Sequence, residues 1–321
     1  MKKIIISRKG FDSSSGGCAS PVLPDGRLRS LPIPECCGNV TECCNSVRYS
    51  DIYPNAKYQT GDIVESLTRC KCKDCGKSTI NSGARAHLDP DIDNNSLPGR
   101  HQDWRGIFGQ KGAALIHLEG QGVCPGDLFL FFGLFREAEE TNGDTKKLKF
   151  RTGKPKHPNK EKHIIFGWLQ IADIFHLPDD GSRLLRQYPW CTYHPHVENQ
   201  DRYKTEEKKN AVYIAEEKLT IRGLEGISGY GVFQEPAPVL QLTAEEDNPN
   251  SNCSLWKLPK LFEKNLSYHK NAKWTKDGNI VRIKAVGRGQ EFVADISDKD
   301  KSEVMEWLRA IFACANKGAR S

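Results

Sequence analysis

The sequence predicts an α+β fold, a single domain with a mixed β-rich core and a helix near its C-terminal end. Three observations predict it. Hydrophobic residues make up 37% and charged residues 27% of 321 positions, a globular balance in a chain long enough to bury a core without disulfide or metal. Two apolar runs rich in aromatics, 126–136 and 163–171, have the texture of buried strands. Near the end, Val304, Trp307, Leu308 and Ile311 recur at helical spacing behind Ser297 or Asp298 as N-cap, which places the C-terminal helix within 297–317. No repeat or low-complexity linker divides 1–321, so one domain is expected, with its core over about 3–295.

The elements follow in order. Ile4-Ile5-Ile6 is a short apolar run of the kind found in a buried first strand, and 7–17 is too rich in glycine and serine for helix. Asp25-Gly26 marks a turn before Leu28. A short helix is expected at 62–67 and another at 109–119, with Ala113, Ala114, Ile116 and Leu118 available for packing. Between the two aromatic strands, 137–162 reads as a solvated basic loop carrying Lys146, Lys147, Lys149, Arg151, Lys160 and Lys162. The segment Tyr193-His194-Pro195-His196-Val197 reads as extended, and strands are expected at 211–215 and 290–294.

Charge and composition narrow the function classes. An excess of 47 Lys and Arg over 41 Asp and Glu gives a net charge of +6, which suits an anionic partner without demanding one. No run approaches the ~18 apolar residues of a membrane span, and the N-terminal run is far shorter than a secretory core. A cytoplasmic protein without membrane contact is expected. Its 12 cysteines would stay reduced there, so their spacing is read for metal. Cys72 and Cys75 precede Gly76 in the form of a zinc knuckle, and Cys70 stands beside them; one partner from 36–44 would complete a structural zinc site. A second Cys-x-x-Cys pair is missing, and plain reduced thiols are the alternative.

Four constellations carry polar chemistry. Arg8, Lys9, Asp12 and Ser13 on a loop with Gly16-Gly17 suit a phosphate or a mobile surface turn. His87-Leu88-Asp89-Pro90-Asp91 offers an imidazole and two carboxylates for acid–base work or a divalent metal, or else a self-capping turn. His194 and His196, two apart, would point the same way on an extended segment, toward a metal completed by His87, Asp89 or His269, toward a base or phosphate, or into packing. Trp104 beside Arg100 and Trp168 before Gln170 are the aromatics best placed to stack on a base, although most such rings are core.

Several of these segments together resemble the nucleotide modification associated domain family, third type. They are 7–13 with Gly16-Gly17 and Pro21, Leu31-Pro32-Ile33-Pro34, His87 to Asp91, Phe108-Gly109-Gln110, His117-Leu118, Gly126 to Arg136, Ile165 to Trp168 and Tyr193 to His196. The paired strands, with Gly126-Asp127 opening one and Gly167 in the other, also resemble the β-barrel of PUA-like modules that bind nucleic-acid bases. The resemblance implies DNA or nucleotides as partners and a function in base modification. It makes Asp12, His87, Asp89 and His194 the catalytic candidates. Arg8, Lys9, Ser13, Gly16, Gly17, Trp104, Gln110, Arg136, Trp168 and His196 become the substrate contacts. An enzyme acting on a modified base or its glycosidic bond is expected, with a non-catalytic reader of modified bases as the alternative and a nucleotide or metabolite enzyme without DNA contact as a third reading. Asp12, His87 and His194 are expected in one pocket, with Gly16-Gly17 at its rim.

Overall fold

The protein is described by a computed structural model at residues 1–35, 47–68, 80–153, 159–198, 209–244, 252–263, 265–285, 291–296 and 301–315. The strands are β1 (Lys3–Arg8), β2 (Ser20–Val22), β3 (Ile107–Lys111), β4 (Leu128–Thr141), β5 (Asp144–Phe150), β6 (Lys162–Leu177), β7 (Asn210–Ala215), β8 (Tyr230–Val232), β9 (Leu255–Pro259), β10 (Thr275–Asp277), β11 (Ile280–Lys284) and β12 (Glu291–Asp295). The helices are α1 (Thr60–Leu67), α2 (Gly112–Gly120), α3 (Gly181–Gln187), α4 (Pro195–Glu198) and α5 (Lys301–Phe312). A mixed sheet runs β12-β1-β4-β6-β7-β3, with β2 and β5 on β4 and β8 on β6; β10-β11-β9 form a second sheet. The large sheet curls into a half-barrel, and among the described residues no ladder joins β3 to β12.

β1 lies parallel to β4 and antiparallel to β12, and Ile4, Ile5 and Ile6 are fully buried between them. Gly126-Asp127, the turn that opens β4, has a structural task. The Asp127 carboxylate accepts the backbone N–H groups of Lys2 and Lys3 at 3.0 and 2.9 Å and that of Cys124 at 3.1 Å, fixing the start of β1 against β4. β4 is buried on both faces from Leu128 to Phe135, which explains a continuous apolar run where a half-exposed strand would alternate. The second sheet and α5 share this core: Trp256, Val281, Leu308 and Ile311 pack in one cluster with Phe132 and Phe292.

Three elements differ from their sequence reading. The basic stretch after β4 is not simply loop, because β4 continues to Thr141 and turns through Asn142-Gly143 into β5. Both turn residues have left-handed backbones, φ 55° and 74°, as a two-residue hairpin turn requires. The charges that suggested loop lie on the hairpin's exposed face, where Lys149 pairs with Glu139 at 3.4 Å and Arg151 with Glu137 at 2.9 Å. The segment around His194 is helical rather than extended: a 3₁₀ turn over Pro189–Tyr193 passes into α4. Finally, 107–111 is strand, and α2 begins only at Gly112, where Leu115 packs inward and Ile116 is 51% exposed.

β3 ends the large sheet, and its outer edge receives the segment after His87. Asp91 and Ile107 exchange backbone hydrogen bonds of 2.9 and 2.8 Å. That pairing sets the position of Asp89.

Candidate functional site

Two residues before the Asp91 bridge, across a cis Asp89–Pro90 peptide, the Asp89 carboxylate meets the next free N–H of β3, and Gly109 donates to its Oδ1 at 2.7 Å. Asp89 and Asp91 then serve different neighbours. Asp91 is buried in a fork from Arg100, whose Nη1 and Nη2 donate at 2.7 and 2.6 Å. Tyr193 donates its hydroxyl to the same carboxylate at 2.6 Å and accepts the Trp104 indole N–H at 2.8 Å. Asp91 lies two residues from Asp89 and Tyr193 one from His194, so this network holds both sides of the site.

Around Asp89 stand three imidazoles. His194 Nε2 lies 3.3 Å from Oδ1 and His196 Nε2 3.7 Å from Oδ2, and both rings are buried. The His87 ring, half-buried, packs edge-on to His196 with centroids 5.3 Å apart. The passage from the 3₁₀ turn into α4 brings His194 and His196 to one carboxylate, with ring centroids 5.8 Å apart. His196 Nδ1 is 2.7 Å from the Asn210 side-chain oxygen, and the Asn210 amide donates back to the His196 carbonyl at 2.9 Å. An N–H on Nδ1 satisfies that contact and leaves the Nε2 lone pair facing Asp89. The His196 ring also lies against Gly109, where a Cβ would come within 2.2 Å of it. Only glycine leaves that space.

Burial governs the charges. It pushes His87 down to about 3, helped by His196 and opposed by Asp89, and takes His196 down to about 4 against the pull of the same carboxylate. Burial also resists the charge on Asp89, but the His194 contact and the neighbouring imidazoles outweigh it and hold the carboxyl below its ordinary range. At neutral pH the site is therefore a carboxylate faced by the neutral imidazoles of His87 and His196. The ligating atoms of His87, Asp89 and His196 all lie within 4.8 Å of one another, a grouping able to hold a metal ion.

Asp89 and Pro90 also line a cavity of about 270 Å³. Its far wall holds Arg29 and Tyr53, the guanidinium carbon lying 3.6 Å from the ring centroid. Arg29 is buried, with Nη1 3.3 Å from the Thr60 hydroxyl, and Tyr53 donates to Asp93 at 2.5 Å. Tyr53 has φ 50°, a strained backbone for a bulky residue.

The structure brings together His87, Asp89, His194 and His196. Asp12 takes another part: its Oδ1 accepts the N–H groups of Ser14 and Ser15 at 2.7 and 2.8 Å, and Arg8 pairs with Oδ2 at 2.9 Å. Among the described residues no recorded contact joins it to His87 or His194. Gly16 and Gly17 close that same turn, and Ser13 is exposed at its tip. Lys9 and Gln110 meet each other elsewhere, both bonded to the buried Glu291, with Lys9 Nζ at 3.0 Å and 4.4 Å from the Phe108 ring centroid. Trp104 and Trp168 are each 5% exposed: Trp104 is stacked under Arg100, and Trp168 donates to the Ser228 carbonyl and packs on Phe233 and Phe312. Both rings are packed against protein, so neither is presented for stacking on a base. Arg136 lies over Phe150 at 5.2 Å. Cys70, Cys72 and Cys75, with the partner sought in 36–44, lie outside the described residues. Sequence reasoning missed Arg29, Tyr53, Asn210 and Glu291. The Asn210 contact crosses from α4 to β7 and has no local signal, whereas Arg29 beside a Pro-rich turn was a visible basic residue.

Fold and site define a class: an α+β protein with a buried imidazole–carboxylate cluster beside a cavity of about 270 Å³. The model of the family described as nucleotide modification associated domain 3 matches residues 3–295, and the chain belongs to that family. No curated protein and no solved structure matches the chain significantly. Among the described residues no helix is long and apolar enough to cross a membrane.

Proposed function

We propose that the protein is an enzyme acting on a base, or on its glycosidic bond, in DNA or a nucleotide, and that the cavity beside Asp89 receives that base. The observation that carries this reading is the shared residue: Asp89 lines the cavity and is also the carboxylate on which His194 and His196 converge. Membership of a nucleotide-modification-associated family supports a nucleotide base as the substrate class. At about 270 Å³ the cavity is close to the lower limit of small-ligand sites, ~300 Å³, which suits one extruded base better than a dinucleotide. Arg29, stacked on Tyr53, offers N–H donors to a base edge or phosphate. A carboxylate held ionised beside the sugar carbon stabilises positive charge developing there as a glycosidic bond breaks.

Modified and unmodified DNA are incubated with the protein, digested to nucleosides and analysed by mass. Wild type is expected to change or release one nucleoside, and Asp89→Asn to lower that rate by at least about 100-fold. Retention of modified DNA with no nucleoside changed would make the protein a reader instead. Neither turnover nor retention would remove DNA from the account.

A further inference from the structure

We propose that His87, Asp89 and His196 bind a divalent transition-metal ion of the zinc class, with His194 as the neighbouring fourth donor. The reason lies in what faces what. His196 has its Nδ1 engaged by Asn210, so its Nε2 lone pair points at the Asp89 carboxylate from 3.7 Å, too far for a hydrogen bond. His194 is fully buried, and neither of its ring nitrogens has a hydrogen-bond partner of acceptable geometry among the described residues. A buried polar atom left unsatisfied, as on His194, costs about 1–3 kcal/mol. An electrophile between His194 and Asp89 gives the imidazole lone pair and the carboxylate a common partner.

The spacing fits such an ion. Donors bound at about 2.0–2.2 Å stand roughly 3–4 Å apart around a tetrahedral centre, and the His194–Asp89 and His196–Asp89 separations of 3.3 and 3.7 Å already do so. His87, Asp89 and His196, whose ligating atoms lie within 4.8 Å of one another, need a closure of about 1 Å, which rotation of the half-buried His87 ring can supply. Asn210 supplies what metal-bound histidines nearly always have, a partner for the other ring nitrogen that fixes tautomer and orientation. The Gly109 N–H does the same for the carboxylate. An imidazole-rich donor set selects zinc, cobalt, iron or nickel over calcium and magnesium, which prefer oxygen.

The inference concerns the same residues as the proposed function but is tested without DNA, so failure of one leaves the other standing. The full chain, stripped by chelator, is titrated with Co²⁺ and followed by visible absorption. Wild type is expected to take up Co²⁺ at a site with d–d bands but no thiolate charge-transfer band, retained when Cys70, Cys72 and Cys75 are replaced by Ser. His87→Ala should weaken that uptake by at least about 100-fold and Asn210→Ala by about 10–100-fold. No uptake, uptake equal in wild type and His87→Ala, or only a thiolate band lost with the cysteines, would each overturn the proposal. Should His87→Ala fail to fold by circular dichroism, the wild-type spectrum decides, since its bands alone distinguish nitrogen and oxygen donors from sulfur.

Discussion

At the scale of the residue, Gly109 is the most demanding position in the site. It gives its N–H to Asp89 and leaves the space into which the His196 ring fits. Gly109→Ala sets a methyl 2.2 Å from that ring, in a backbone conformation alanine accepts, and because the clash reaches the His196 Cβ, the histidine or its backbone must shift. The expected result is a folded protein, less stable by about 1–3 kcal/mol in urea, that has lost nucleoside turnover. Full activity would mean that His196 need not sit where it does. The sequence marks Phe108-Gly109-Gln110 and His196 as separate motifs, and nothing local couples them. His87, Asp89, His194 and His196 were legible because their residue types are chemically distinctive at close spacing. Asp12 was read from the same kind of signal and serves its own turn, since an aspartate two and three residues before serine N–H groups is satisfied locally.

At the scale of the element, periodicity revealed what was apolar, and turn chemistry was what it missed. The strands β1, β4 and β6 and the helix α5 announce themselves through runs of buried side chains. The β4–β5 hairpin does not, because its face is charged, although Asn142-Gly143 is the dipeptide that a two-residue hairpin turn favours. Gly143→Ala should therefore destabilise the protein by about 1–2 kcal/mol, the cost of an L-residue in a left-handed conformation. A lower urea midpoint with an unchanged m-value is the expected sign. No shift would show that the hairpin contributes nothing to the folded state, despite the packing of α1 against β5 and the Ser66 hydroxyl donated to the Lys146 carbonyl at 2.9 Å. His194 and His196 make the converse point: an extended reading and a helical turn both brought them to one side, and Asn210 of the partner strand β7 fixes the ring of His196.

At the scale of the whole molecule, one buried histidine outside the site joins the two sheets and reports on their union. His163 of β6 accepts the indole N–H of Trp256, in β9, at 2.9 Å, and Phe132 packs edge-on to its ring at 5.2 Å. Burial pushes its pKa down to about 3; Arg8 adds to the effect and the Cys253 carbonyl opposes it. The unfolded chain takes up that proton near 6.5, so between about 3 and 6.5 the unfolded state binds more protons and stability falls as pH falls. Glu291, raised by burial against the pull of Lys9, has the opposite sign, losing stability as pH rises above the ordinary glutamate range. His87 and His196 titrate in the same direction as His163, but a ligand at the site would alter them, whereas His163 stands apart from it. His163→Gln keeps an acceptor for Trp256 and removes the titration. At neutral pH the variant should be less stable, through altered packing, by about 1–3 kcal/mol. Each pH unit below 6.5 then costs the wild type about 1.4 kcal/mol that the variant does not lose. Denaturant unfolding of both proteins at pH 7.0, 5.5 and 4.5 checks this: the difference between them should shift by about 2.5 kcal/mol in the variant's favour on acidification to pH 4.5. A gap that stays constant would show that His163 carries no depressed pKa, and that the contact between the sheets tolerates a charge there.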